Sequence, residues 1–478
     1  MNILLVIGTL VVFVLLLIIN SSLIQYFQHS DDKGQSYLTK FLIHLSFLLA
    51  EGAILLLPVD IINARDPTFP MDLIWQVVFV SMLVLTSFIL PFTLFWYESL
   101  DEHGKTHAFK AFCFVLTTFF FLALGIFLLF SFFGRASIPI SVLTSSMTTS
   151  PPSSCECINC VSENLNIDFY VTFPLYIIAC FTLLGWFLFV LFGSIGIASL
   201  PMDLLNAYRT RPRKILTRQY AELKSQIADR ASKLLIIANA MSQDVDTSTE
   251  SRMGKKELKL ITKFKQQVLL LEEEHKHLQI AGNKLQYQPF KYFGYLVLAL
   301  LGLIVSLGWA IHIFVYVMPS KVLHPFLNTI LLKLDSSFPL FGIILYGFFA
   351  FYLLLCVYKG TFKFGFRFFF IPIHPMEKGN TLLNSFLFNL ILILLTIFPV
   401  IQFCILSFRE YARLTSVSSL FGVTFNHLMG FSYFWDFYIY GLVGLSIISF
   451  LFLFFFPGRK STDLMKELED SFRTNPDL

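Results

Sequence analysis

Eight polar or ionisable residues lie within, or at the rims of, long apolar stretches of this chain: Glu51, Asp60, Glu98, Arg367, His374, Asn384, Asn389 and Gln402. An ionisable group at membrane depth is expensive, so each is a candidate for holding a ligand, a solute or a buried partner side chain. Glu51 and Asp60 are nine positions apart on one helix, about two and a half turns and about 13 Å along the axis, so they point in different directions. They do not form a paired acid–base dyad. Asp60, within Leu57-Pro58-Val59-Asp60 near a helix end, reads first as a solvated or capping carboxylate, and Glu51 is the deeper and more suggestive of the two. Asn384, Asn389 and Gln402, with Arg367 and His374 shortly before them, are the densest polar set. Interhelical hydrogen bonding explains the amides more cheaply than a ligand path does. No Gly-x-Ser-x-Gly elbow and no Gly-rich loop before a Lys is present, and His374 and His312 are isolated in sequence, so the expectation is a non-enzymatic protein without a cofactor.

A second group is Cys155, Cys157 and Cys160, which follow a Ser-, Thr- and Pro-rich stretch from Ser141 to Ser154. Three thiolates are an incomplete set for a metal, and if the loop faces an oxidising compartment, disulfide formation is the favoured reading, with one cysteine left over. The hydroxyl-rich stretch suits O-glycosylation. Asn20-Ser-Ser22 is the single N-glycosylation sequon, and it lies at the inner end of an apolar segment.

These groups must be positioned by a membrane bundle. Of 478 residues 56% are hydrophobic, 57 are Phe, and only 14% are charged, whereas soluble domains carry about 25% charged residues. Mean hydropathy is +0.71. A net charge of +4 lends no support to nucleic-acid binding. Nine segments are apolar over about 20 residues, the length that crosses a bilayer; they lie near 2–26, 40–63, 72–97, 109–133, 169–200, 290–318, 338–358, 383–407 and 435–456. The first lacks the basic start and the cleavage site of a signal peptide. Segment 360–382, interrupted by Gly365, Arg367 and Pro372, reads as interfacial or re-entrant.

The expected class is therefore an all-α polytopic bundle of about nine transmembrane helices with a cytosolic helical hairpin. Its predicted parts are a five-span half over 1–203 with an outer Cys loop at 134–168, a coiled-coil hairpin over 204–289, a four-span half over 290–458, and a tail over 459–478. Lys and Arg concentrate in 27–39, 98–108, 201–289, 359–382 and 457–478, while the opposite side keeps Arg65, Arg135, Lys321, Lys333, Arg409 and Arg413. The positive-inside rule then puts the N-terminus outside or lumenal and the C-terminus in the cytosol. In the hairpin, Ile261, Phe264, Val268, Leu271, His275 and Leu278 form a heptad seam, matched more weakly by Tyr220, Leu223, Ile227, Leu234 and Met241. A protein partner is expected through the coil at 215–286. Arg209, Arg211, Arg213, Lys214 and Arg218 beside the fifth span suit anionic lipid or a positive-inside anchor. Glycines such as Gly196, Gly308, Gly342 and Gly347 suit close helix packing.

Several motifs resemble the limb-region-like membrane proteins, also called the lipocalin-interacting membrane receptor family, in the branch of plants and protists. They are Leu57-Pro58-Val59-Asp60, Pro70-Met71-Asp72-Leu73-Ile74-Trp75, Phe95-Trp96-Tyr97-Glu98, Gly196 to Pro201, and above all Ile373-His374-Pro375-Met376-Glu377-Lys378-Gly379-Asn380-Thr381 running on to Asn389. The resemblance covers nearly the whole chain. It implies nine spans, an outside N-terminus and a cytosolic coil. It also implies a receptor or a trafficking and transport accessory in the plasma membrane or the endosomal and lysosomal membranes, since one branch takes up lipocalins and another assists an ABC transporter that exports cobalamin. Expected partners are then membrane lipid, a protein at the coil, and a lipocalin-like or small hydrophobic ligand on the outer loops. The rival expectation is a transporter or channel with a polar cavity between spans two, three and eight.

Overall fold

The computed structural model describes residues 3–29, 32, 36–99, 108–144, 161–211, 217–245, 255–282, 289–319, 321–338, 340–368, 371–425, 427–430 and 432–455. Two compact units divide the chain, one made of 1–200 with 304–450 and the other of 201–303 with 451–478.

The first unit is built on apolar helices: α1 (Ile3–Phe27), α2 (Tyr37–Arg65), α3 (Met71–Glu98) and α4 (Ala108–Phe133). After α4 a β-hairpin pairs β1 (Arg135–Thr144) with β2 (Val161–Tyr170) in antiparallel register, Arg135 opposite Tyr170 and Ile138 opposite Ile167. α5 (Phe173–Arg209) follows and runs on into the second unit. The chain re-enters the first unit along α8 (Pro289–His312, continued by a π turn Ile313–Val317). Then come a short α9 (Phe326–Ser337), α10 (Phe341–Phe364), α11 (Leu383–Ser407), α12 (Ser416–Ser418 with a π turn Ser419–Phe425) and α13 (Ser432–Phe455). Among the described residues eight helices are long and apolar enough to span a bilayer, and α1 adds a ninth apolar segment of 25 residues.

Burial separates the centre from the rim. The most apolar stretch of α11 is 83% buried, against 11% for α4 and 17% for α13. α11 is therefore the hub, packed by α2, α10 and the second half of α3, while α4 and α13 turn Phe and Leu side chains outward, as lipid-facing helices must. The hub needs close backbone approach around it, and glycine supplies it. A Cβ on Gly196 of α5 would collide with the carbonyl of Cys356 in α10, and one on Gly360 of α10 would collide with the carbonyl of Phe192 in α5. The two contacts are reciprocal, each glycine four residues from the other's target, so the two helices cross backbone to backbone at a point where neither tolerates a side chain. Gly342 is closely covered by Asp335 and Leu331, whereas Gly308 and Gly347 meet only ordinary or slightly tight neighbours.

Segment 360–382 is not a span: its first five residues finish α10, and the described residues from Gly365 to Leu382 form no helix. α10 ends at Phe364, Gly365 takes a φ of +63°, and β3 (Phe366–Phe368) pairs with β4 (Ile371–Ile373). Strands of three residues are far too short to cross a membrane. The β1–β2 hairpin is an addition to the all-α expectation. It had a readable signal in the alternation of Leu165, Ile167 and Phe169 with Asn164, Asn166 and Asp168. Cys155, Cys157, Cys160 and most of the hydroxyl-rich stretch lie outside the described residues, while Cys113, Cys180, Cys356 and Cys404 are free thiols.

In the second unit α6 (Thr217–Val245) and α7 (Lys255–Gly282) lie side by side and antiparallel, with Tyr220 against Gly282 and Arg230 bonded to Glu274 at 2.6 Å. Ile227, Leu234, Ile237, Leu271 and Leu278 are buried between them, with Tyr220, Phe264 and Val268 packed at the edge. Most of the seam read from sequence is thus the contact face. Ile237 is an additional buried residue, and Leu223 is left exposed.

Candidate functional site

The eight candidate residues are held at four separate places. At the end of the first unit that carries the β1–β2 hairpin, Asp60 is 1% exposed and accepts three hydrogen bonds, from Trp75 Nε1 at 2.9 Å, Ser416 N at 3.2 Å and Val417 N at 3.0 Å. Its carboxylate caps the free amides at the start of α12 and ties that start to α2 and α3. Beside it Asp335 of α9 binds Arg65, accepts the Tyr411 hydroxyl at 2.8 Å and accepts the amide of Gly342 at 2.9 Å. Burial, and then the Asp335 carboxylate, push the Tyr411 phenol well above the usual tyrosine range. Five helices and the loop that carries Tyr411 are joined by these two aspartates.

Midway along α2 is Glu51, 2% exposed, whose Oε2 accepts from Asn20 Nδ2 of α1 at 2.9 Å. Asn20, the sequon asparagine, is 1% exposed. Gln402 lies elsewhere in the core, where its Oε1 accepts from Trp186 Nε1 of α5 at 2.7 Å. That bond is the interhelical role expected of a span amide.

The opposite end of the unit gathers the rest around the loop between β4 and α11. His374 adopts a left-handed φ of 50°, lies against the Phe388 ring at 4.9 Å with the two planes tilted by 38°, and puts Nε2 3.6 Å from Glu98 Oε1 and Nδ1 3.4 Å from Ser385 Oγ. Asn389 fixes the loop by donating to the carbonyl of His374 at 3.0 Å. Asn384 lies in the first turn of α11 and its Oδ1 accepts from Ser385 N. Arg367 is in β3. The loop then closes on the end of α1, with Gly379 N to Tyr26 O at 3.2 Å, Thr381 N to Phe27 O at 3.0 Å and His29 N to Thr381 O at 2.9 Å, while Lys378 covers the Tyr26 ring. Gly379 has a φ of +67°, which glycine adopts without strain.

Asp32 completes this end. It is 6% exposed, takes the Tyr97 hydroxyl at 2.8 Å, and accepts the first amide of α11 from Leu383 at 3.2 Å. Sequence reading missed Asp32, Asn20, Ser385 and Asp335. Asp32 and Asp335 sit in polar surroundings in the sequence, and nothing local marks them as buried.

The arrangement thus brings Glu98, His374, Asn384 and Asn389 together and keeps Glu51, Asp60 and Gln402 each with its own partners. The Ser385–His374–Glu98 row has separations too long for tight hydrogen bonds. Among the described residues no group of three or more His, Cys, Asp or Glu could hold a metal ion.

The sequence profile of the LMBR1-like membrane proteins matches residues 5–269 and 249–456. A LIMR family protein of Dictyostelium discoideum is 34% identical over 505 residues, covering 96% of this chain and 98% of its own length. LIMR family proteins of Arabidopsis thaliana and Oryza sativa are 34% and 32% identical, each over 96% of this chain and 97% of the relative. No solved structure matches significantly. Full-length similarity at this level, with the long apolar helices, identifies the chain as a multi-pass integral membrane protein of the LMBR1-like, or LIMR, family.

Proposed function

We propose that the protein is a non-enzymatic receptor or trafficking and transport accessory that engages its partner through the α6–α7 hairpin, with that hairpin in the cytosol. The observation that carries this reading is an apolar groove of about 500 Å³ along the pair. Ala228, Ala231 and Ala238 on α6 face Phe264, Val268 and Leu271 on α7. Small residues on one wall and large ones on the other leave room for the side chains of a third helix. Leu235 and Ile236, 64% and 69% exposed, extend the apolar strip, and Lys224 and Glu272 offer a charge of each sign at the rim. A two-helix pair with five buried residues is thinly filled, and a third amphipathic helix seated at heptad spacing completes such a core. The occupant is a helix of another protein.

The test is a photo-cross-linking residue at position 231 or 235 of the full-length protein in its own membranes. The expected product is an adduct to one helical segment of a second protein, and Ala231→Trp, which fills the groove, abolishes it. Adducts only to this chain or to lipid would overturn the reading.

A second contact suits the outer ligand expected from the family. Leu165, Ile167 and Phe169 point out of β2 on one face, 45%, 51% and 36% exposed. An apolar stripe on a hairpin outside the membrane fits a hydrophobic ligand or an apolar protein surface. Loss of uptake of such a ligand on Ile167→Asp, with normal surface expression, is the result that supports it.

A further inference from the structure

Glu51 lies midway between Tyr37 and Arg65, at the centre of a helix long enough to span the bilayer. An ionised carboxylate buried there is strongly disfavoured unless a cation or several donors compensate it. One donor reaches it, Asn20 Nδ2. Among the described residues no basic side chain pairs with Glu51, and α1, α3, α10, α11 and α12, which pack on α2, bring no charged side chain to it. Two titratable groups stand near. Tyr358 of α10 lies within electrostatic reach, its ring 5.4 Å from that of Phe47, one turn before Glu51. His44 is seven residues earlier on α2, hence on nearly the same face and about 10 Å toward the Tyr37 end.

The surroundings hold polar atoms without partners. Asn20 Oδ1 and the Tyr358 hydroxyl are buried and make no hydrogen bond, in residues 1% and 8% exposed, and His44 Nδ1 is likewise unbonded. Each such orphan has given up its water without gaining a partner, which disfavours the arrangement. The carboxamide of Asn20 already gives its N–H to one oxygen of Glu51, and its own oxygen lacks a donor. An ionised carboxylate cannot supply one, because it only accepts. A protonated one can.

We propose that Glu51 is a proton-binding site inside the membrane, and that the bound proton closes a two-hydrogen-bond ring with Asn20, fastening α1 to α2. Asn20 N–H donates to Oε2 as seen, and the acid O–H donates to Asn20 Oδ1. One proton is taken up by one carboxylate, no other bond changes, and the same event removes the buried charge and satisfies the orphaned oxygen. Tyr358 and His44 are the groups placed to pass the proton on. The site is independent of the α6–α7 groove.

The test uses the full-length protein in lipid nanodiscs. Infrared difference spectra across a pH titration are expected to show the carbonyl band of a buried carboxylic acid that shifts in D2O. That band disappears in Glu51→Gln, whose amide preserves the ring, and moves in Asn20→Leu, whose acid has lost its ring partner. The melting temperature of the wild type falls as pH rises and the proton leaves, while that of Glu51→Gln stays level. If Glu51→Gln does not fold, the Asn20→Leu band shift decides. No acid band, or a band unchanged by both substitutions, overturns the proposal. So does a melting temperature that follows Na+ against N-methylglucamine rather than pH, which would make the ligand a metal cation.

Discussion

Asn389 reaches back fifteen residues and donates to the main-chain oxygen of His374 at 3.0 Å, while also bonding the carbonyl of Ser385 one turn before it. His374 is thereby held in a left-handed backbone conformation that an L residue adopts at a cost of about 1–3 kcal/mol. Asn389 is fully buried, so the carbonyl it serves has little access to water.

Asn389→Leu keeps the volume and removes the donor. It is expected to destabilise the protein by about 1–3 kcal/mol, read as a lower melting temperature in detergent. His374→Gly relieves the backbone strain and should cost far less. If it costs more than Asn389→Leu, the side-chain contacts with Glu98 and Phe388 hold the loop instead.

At the opposite end the corresponding test falls on Asp60. Removing its carboxylate in Asp60→Ala leaves Trp75 Nε1 and two amides of α12 without an acceptor in a buried place. A loss of about 2–4 kcal/mol is expected from a broken cap plus unsatisfied donors, against about 1 kcal/mol for Trp75→Phe, which removes one donor and keeps the ring. Comparable losses for the two variants would show that Asp60 does not act as the shared acceptor.

The spans were legible because hydrophobic length is a local property. The predicted segment 383–407 coincides with α11, and the heptad seam of Phe264, Val268, Leu271 and Leu278 is the contact face of α7. What was not legible was which polar residues meet. Glu51 finds Asn20 thirty-one positions away, Asp60 meets Ser416, and Asp32 meets Leu383, and these pairings depend on how helices are arranged around α11. The polar set of spans two, three and eight looked in sequence as though it could converge on one cavity; in space Glu51, Asp60 and Gln402 each bond a different set of partners. Asp32 is the clearest miss, since an aspartate in His-Ser-Asp-Asp-Lys looks like solvent-facing loop until the fold buries it against Tyr97.

The glycine crossing of α5 and α10 gives a sharper contrast than any polar site. Gly196→Leu and Gly360→Leu each force a side chain into the facing backbone, so the two helices must separate and the first unit should fail to assemble, seen as loss of monodisperse protein after extraction. Gly52→Ala, on α2 where a Cβ meets nothing within 4 Å, is the control and should be neutral or slightly stabilising through helix propensity. Normal yield and melting behaviour for Gly360→Leu would exclude the close crossing.

The α6–α7 pair can be broken without touching the membrane helices. Val268 packs at the edge of the buried cluster of the seam and also lines the groove. Val268→Asp places a carboxylate among the apolar side chains of the seam. A charge so placed opposes the pairing by about 2 kcal/mol or more, enough to open a thin interface with five buried residues. Limited proteolysis of the full-length protein should then cut within 217–282 much faster than in the wild type. The membrane helices belong largely to a separate compact unit, so their melting temperature should not move. Equal cleavage rates would mean that the hairpin is held by something other than its own seam; a fall in the melting temperature would mean that the two units unfold together.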